Sequence, residues 1–205
     1  MTLFRPPRLL RLFYSQRTWG FSIEKNLLYL TFDDGPTPEI TPWILDELKK
    51  ENLKATFFCV GENVKRYPKI YERILNEGHV VGNHTHRHEN STSVQPAKYL
   101  ASIEEADKLI LSPLFRPPYG RLSPSLARKI AKKYNIIMWS WLSYDFDPNV
   151  PVEEILNRAK SQLKKGDILV LHDNAKTADR QKLILPEIIK IIKEKGFDLS
   201  TIPIN

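Results

Sequence analysis

Four short stretches of this 205-residue chain gather side chains that can do chemistry together. Thr31-Phe32-Asp33-Asp34-Gly35-Pro36 sets two adjacent carboxylates before a Gly-Pro turn. Neighbouring carboxylates repel unless a cation or a shared proton relieves them, so the pair suits a metal ligand beside a general base. Asp-Gly-Pro is also ordinary turn punctuation, and both readings stand at this point. Asn83-His84-Thr85-His86-Arg87-His88 holds three of the chain's five histidines. Positions four apart share one face of a helical turn, so His84 and His88 can offer imidazole nitrogens to one ion while His86 points elsewhere. With Asp34 they form a set of two imidazoles and one carboxylate that leaves coordination positions open, suited to zinc or a similar divalent ion. Arg116-Pro117-Pro118-Tyr119-Gly120 holds an arginine and a backbone N–H in a stiff turn, as oxyanion stabilisation requires. Leu169-Val170-Leu171-His172-Asp173 brings a candidate proton donor, His172, to the end of an apolar run.

These groups need a frame that brings them to one place. Short runs rich in β-branched and aromatic residues predict strands at Leu27–Phe32, Ala55–Val60, His79–Asn83, Leu114–Pro117, Ile136–Leu142, Asp167–His172 and Phe197–Ile204. Between them, amphipathic segments predict helices at Pro42–Lys50, Pro68–Glu77, Ala97–Leu111, Pro124–Tyr134, Val152–Lys165 and Arg180–Lys195. This βα rhythm fits either a (β/α) barrel lacking one unit or an open doubly wound sheet. Every chemical stretch falls at the C-terminal end of a predicted strand, where barrel enzymes assemble their sites.

Composition narrows the field. The chain is 41% hydrophobic and 27% charged, with no apolar run near the ~18 residues of a membrane-spanning helix. Its one cysteine, Cys59, excludes an internal disulfide and a thiolate metal cluster, and its apolar neighbours make it a small buried residue. Lys and Arg number 31 against 24 Asp and Glu, a net charge of +7. Four of the positives, Arg5, Arg8, Arg11 and Arg17, precede the first acid, Glu24. Residues 1–26 are therefore read as a basic arm packed on a domain of residues 27–205, with contact to an anionic surface as its other role. Charge alone is the only feature favouring nucleic acid, and none is expected as a partner. Pro6-Pro7, Arg8 and Arg11 interrupt the apolar stretch that an export signal needs, which points to the cytoplasm.

Taken in order, Thr31–Pro36, His84-Thr85-x-x-His88, Arg116-Pro117-Pro118-Tyr119 and Leu169–His172 resemble the motifs of the polysaccharide deacetylases, the NodB-homology or carbohydrate esterase family 4 enzymes. The resemblance runs from Leu27 to Ile204 and implies an α/β fold, a distorted (β/α) barrel of about seven parallel strands. It implies a metal-dependent hydrolase removing acetyl groups from N-acetylglucosamine in peptidoglycan or chitin-like glycans, which would place the substrate in the cell envelope. An O-acetyl esterase on xylan-like glycans and a weakly active glycan-binding relative are the alternatives. Oligomeric state is left open.

Carried onto this sequence, the resemblance makes Asp34, His84 and His88 the ligands of one divalent ion, Zn2+ first, with Co2+, Ni2+ or Mn2+ also accepted by such ligands. Asp33 becomes the general base, Arg116 its support, the Tyr119 N–H an oxyanion donor and His172 the acid that protonates the leaving amine. Pro118, Tyr119, Phe146 and Leu171 would contact substrate, Leu171 beside the acetyl methyl. The family's Asp-x-x-Asp-Trp motif corresponds to Leu142-Ser143-Tyr144-Asp145-Phe146. Asp145 keeps the second aspartate, as a partner for His172, and Phe146 replaces the aromatic wall. Leu142 replaces the carboxylate that braces the arginine, leaving Asp147 as a substitute within reach. Of Trp139, Trp141, Tyr144 and Phe146, strand alternation would send half into the core, with sugar stacking assigned to Phe146 and Tyr144.

Overall fold

Residues 4–7, 14 and 16–204 are described by the computed structural model. Its first strand, β1 (Leu27–Asp33), is buried along nearly its whole length and shows how alternation makes a site. Leu28, Leu30 and Phe32 join the core under the outer helices, whereas Tyr29 joins the cluster inside the barrel and Thr31 and Asp33 follow it on that face. The remaining strands are β2 (Thr56–Cys59), β3 (Val80–Asn83), β4 (Leu114–Phe115), β5 (Asn135–Ile136), β6 (Trp141–Leu142), β7 (Ile168–His172) and β8 (Asp198–Ser200). All pairings between them are parallel, in the order β5-β4-β3-β2-β1-β7-β6, with β8 beside β1. The path of seven curls into the half-barrel that the resemblance implied.

The predicted strand Ile136–Leu142 is two strands, and this difference shapes the barrel. β5 lies on one edge of the sheet and β6 on the other, so residues 137–140 cross between them. The Ile137 and Ser140 N–H groups still reach Phe115 of β4 and Ile168 of β7, but between them Met138 N–H donates to the Thr18 carbonyl at 2.7 Å, and the Ile137 and Met138 carbonyls accept from Arg116. Where these groups go to a loop and a side chain, the ladder is broken.

The helices are α1 (Thr41–Lys50), α2 (Gly61–Arg66), α3 (Pro68–Asn76), α4 (Pro96–Asp107), α5 (Pro124–Ile130), α6 (Val152–Gln162) and α7 (Ala178–Glu194). Four of them carry proline in the first turn, where its missing N–H costs nothing. Helix α2 is absent from the sequence reading, being six residues without a full amphipathic repeat. Ile44, Leu45, Leu48, Ile184, Leu185 and Ile188 from α1 and α7 bury against β1 and β2. Cys59 is buried in this core. In the N-terminal segment, Phe4 is buried against Trp141, Arg5 pairs with Asp167, and Arg17 donates to the Leu122 carbonyl at 2.6 Å. Arg8 and Arg11 lie outside the described residues. Among the described residues no helix is long and apolar enough to cross a membrane.

His79, just before β3, makes the fold acid-sensitive. It is buried, accepts the Ala55 N–H at Nδ1 (3.1 Å) and packs edge-on to Phe57. Burial, helped by the charge of Lys54, lowers its pKa to about 4. A histidine depressed in this way leaves the unfolded chain as the better proton acceptor, so its contribution is intact above pH ~6.5 and is lost as pH falls toward 4. His79→Asn keeps an acceptor without the titration, and urea unfolding is expected to show a smaller loss of stability between pH 7 and 4.5 in that variant. Equal losses in both proteins would remove His79 as the cause.

Candidate active site

The inward-facing residues at the C-terminal ends of β1, β4 and β7 open onto one cleft of about 830 Å³. Asp33 closes β1 and is 4% exposed. Its Oδ1 accepts from Arg116 Nη1 at 2.6 Å, while Oδ2 turns toward His84, 4.0 Å from Nε2. The next residue, Asp34, takes a left-handed backbone (φ 86°), and its carboxylate enters the same cleft as that of Asp33. Gly35 follows because no other residue fits: a Cβ there would stand 1.9 Å from Asp173 Oδ2. Asp173 holds this turn by accepting the Gly35 N–H and the Thr41 hydroxyl, and burial together with the nearby charges of Asp34 and Asp33 pushes its carboxyl well above the usual range.

His84 and His88 do meet, but not on a helical turn. Residues 84–88 form a loop in which Thr85 (φ 64°) and His88 (φ 56°) are both left-handed, a path that returns the second imidazole beside the first. Their ring centroids lie 5.0 Å apart. His84 Nδ1 lies 2.8 Å from the Arg116 carbonyl, so its N–H is spent there and the Nε2 lone pair faces the cleft. His86 points away, buried against Glu105 with 3.2 Å between Nε2 and the carboxylate.

Asp34 Oδ1, His84 Nε2 and His88 Nε2 converge within 4.8 Å of one another. Asp34 Oδ1 lies 3.6 Å from His84 and 3.1 Å from His88, bracketing the ~3.3 Å edge of a tetrahedron with ligand bonds near 2.0–2.1 Å. That oxygen is buried and accepts no hydrogen bond of good geometry, as a ligand atom awaiting a cation should. Burial pushes the Asp34 carboxyl up, but the imidazoles of His84 and His88 and the charge of His172 outweigh it and hold it well below the usual carboxylate range. The donor set fits a divalent ion.

Arg116 is fully buried, and it shows what replaces the carboxylate missing at Leu142. Nη1 donates to Thr31 Oγ1 (2.7 Å) as well as to Asp33, Nε to the Ile137 carbonyl (3.2 Å) and Nη2 to the Met138 carbonyl (3.0 Å). Phe58 lies under the guanidinium at 4.0 Å, and Gly82 leaves room for that ring, since a Cβ there would approach it to 2.5 Å. Asp147 does not serve as the substitute; its carboxylate binds Asn149 in an exposed turn. With Arg116 so engaged, Leu142→Asp adds only negative charge to a cleft that already holds Asp33 and Asp34. Its steady-state turnover is expected to stay within about twofold of the parent or to fall. A clear rise would show that the brace is incomplete.

On the opposite wall, His172 Nδ1 lies 2.7 Å from Asp145 Oδ1. Asp145 is fully buried and is fixed by the Ser143 hydroxyl, the His172 N–H and Gln181. Burial works against a charged His172, but the charge and hydrogen bond of Asp145, with Asp34 and Asp33 beyond, raise its pKa to about 10. Phe146, 45% exposed, sits edge-on to His172, and Tyr119, 60% exposed, packs on His88.

Two expected substrate contacts lie elsewhere. Leu171 is wholly buried in the outer core, because alternation along β7 turns Val170 and His172 to the cleft and Leu171 away. Pro118 is buried beneath its turn, whereas Pro117 and Tyr119 line the cleft. Sequence reasoning missed Thr31, which period-two spacing from Asp33 could have exposed, and Asn174. Asn174 Nδ2 donates to Asp34 Oδ2 at 2.7 Å while its Oδ1 caps the turn at Ala175–Thr177. An Asn opening a helical turn was the available signal.

A family model described as polysaccharide deacetylase matches residues 22–139. The chain belongs to the polysaccharide deacetylase family. A peptidoglycan-N-acetylglucosamine deacetylase of Bacillus cereus is 34% identical to this polysaccharide deacetylase over 193 residues, covering 90% of each chain. A chitooligosaccharide deacetylase of Bradyrhizobium sp. is 30% identical over 222 residues and 99% of each chain. The crystal structure of a peptidoglycan N-acetylglucosamine deacetylase in complex with 4-naphthalen-1-yl-N-oxidanyl-benzamide superposes with a TM-score of 0.86 at 31% identity, covering 97% of this chain and 96% of that one. The Asp34, His84 and His88 group of this polysaccharide deacetylase corresponds in kind to the metal site of carbohydrate esterase family 4.

Proposed function

We propose that the chain is a metal-dependent hydrolase that removes acetyl groups from N-acetylglucosamine units of peptidoglycan, with zinc as its ion. The observation that carries this reading is the convergence of Asp34 Oδ1, His84 Nε2 and His88 Nε2 beside the unengaged Oδ2 of Asp33. Two relatives named for peptidoglycan substrates, similar over nearly the full chain, support the choice of glycan. Two imidazoles and one carboxylate favour zinc. When bound, the ion supplies Lewis acidity that makes water a better nucleophile and polarises the acetyl carbonyl.

The chain's own groups do the rest. Asp33 Oδ2 accepts the proton of the attacking water, with Arg116 holding the other oxygen in place. The Tyr119 N–H, set in a left-handed turn (φ 59°), donates to the developing oxyanion. His172, kept protonated by Asp145, delivers its proton to the amine nitrogen as the C–N bond breaks. Leu142 and Val170 line the cleft where the acetyl methyl would rest, and Tyr119 and Phe146 offer ring faces to sugars.

The deciding measurement is acetate release from glycan strands containing N-acetylglucosamine. Release is expected to stop on chelation and to return with added zinc. Release that persists after complete metal removal would overturn the reading.

A further inference from the structure

Three cations around the cleft have no part in that chemistry. Arg87, Arg121 and Lys176 line it, and their side chains make no hydrogen bond or ion pair with any described residue. Arg87 and Arg121 share the wall carrying His88 and Tyr119, where Ser91 Oγ donates to the Arg121 carbonyl at 2.7 Å and ties the two loops together. Lys176 stands on the other wall, in the turn whose Asn174 touches Asp34. Positive charge therefore flanks the three ligand atoms on both sides, with Glu62 as the only acid among the described residues that lines the cleft besides Asp33 and Asp34.

A neutral sugar chain crossing such a cleft would cover these cations and give them nothing to pair with. A chain bearing carboxylates next to the reacting sugar would pair with them where solvent screening is incomplete, within a Debye length of about 8 Å. We propose that Arg87, Arg121 and Lys176 form an anion-recognition rim that takes carboxylates carried by the sugars on either side of the acetylated one. The substrate class is then an anionic glycan strand rather than a neutral chitin-like chain. The inference rests on the deacetylase reading above and deepens it. Peptidoglycan offers such carboxylates from two sources, the lactyl ether of alternate sugars and the peptide attached to it.

The test compares the zinc-loaded full chain with its Arg87→Gln/Arg121→Gln/Lys176→Gln variant on three probes. These are a neutral N-acetylglucosamine hexamer, glycan strands freed of peptide, and strands that retain peptide. The ratio of kcat/KM for anionic over neutral probes is expected to fall about tenfold in the variant, through KM, and high salt is expected to erase the parent's preference. A fall confined to one anionic probe identifies which carboxylate is read. A ratio unchanged by the substitutions, or a parent with no anionic preference, overturns the rim. The three single substitutions read the same ratio should the triple variant fail to fold. A parent that releases no acetate from any probe overturns the deacetylase reading instead, and the ratio of Kd values from titration of the same probes then decides the rim by the same criterion.

Discussion

Asp33→Asn is expected to lower kcat for acetate release by about 10³-fold while the purified protein keeps its metal, since a positioned general base contributes roughly 10²–10⁴. The two oxygens of Asp33 have separate tasks. Oδ1 accepts from Arg116 at 2.6 Å, and Oδ2 faces the three ligand atoms, 4.0 Å from His84 Nε2. An asparagine of the same shape still offers Arg116 a carbonyl oxygen, but it cannot take a proton from water. Because Asp33 is not one of the three converging ligands, metal content should not change. Metal analysis beside steady-state kinetics separates the possibilities. A variant with a tenth or more of the parent's turnover would sink the base assignment, and one that loses its metal would recast Asp33 as part of the ion's support.

How Asp33 and Asp34 come to share one cleft was not legible in the strand pattern, and the physical reason lies in the backbone. Strand alternation predicts that adjacent residues face opposite ways, which would separate the two carboxylates across the sheet. The left-handed φ of 86° at Asp34 ends the strand and brings both to the same cleft. The same applies to His84 and His88, whose spacing suggested a helix although two left-handed residues in a loop bring them together. The places of the strands along the chain and the position of each motif at a strand end followed from apolar patterning, because that pattern is set by burial on both faces of a parallel sheet. What patterning could not reveal was the break between β5 and β6. Trp139 and Trp141 have the same parity, yet Trp141 is buried in the outer core and Trp139 lines the cleft over Gly120. Their separation depends on Arg116, 21 residues before Ile137, taking the carbonyls of Ile137 and Met138. Such a contact leaves no periodic trace in sequence.

That long-range contact makes Arg116 the residue whose loss should cost the most stability. Arg116→Met is expected to destabilise the fold by about 3–5 kcal/mol, the usual penalty for stripping one partner from a buried ion pair. At roughly 2–4 °C per kcal/mol for a chain of this size, the melting temperature should fall by about 10 °C. The penalty has several parts: Asp33, at 4% exposure, loses its countercharge, Thr31 loses a donor, and the crossing at Ile137 and Met138 loses both of its side-chain donors. Activity should go with it, because Asp33 loses the donor that holds its Oδ1 and turns its Oδ2 toward the ligand atoms. Lysine is no conservative replacement, since a single ammonium on a flexible stem cannot donate in the four directions that the guanidinium spans. Adding Asp33→Asn to Arg116→Met removes the uncompensated charge, so the double variant should recover at least ~1 kcal/mol of stability over Arg116→Met alone, by the coupling typical of groups in contact. Urea unfolding of the two singles and the double measures that coupling. Strict additivity would mean that Asp33 and Arg116 are neighbours without being partners, and would move the origin of the loss to the carbonyls that close the barrel.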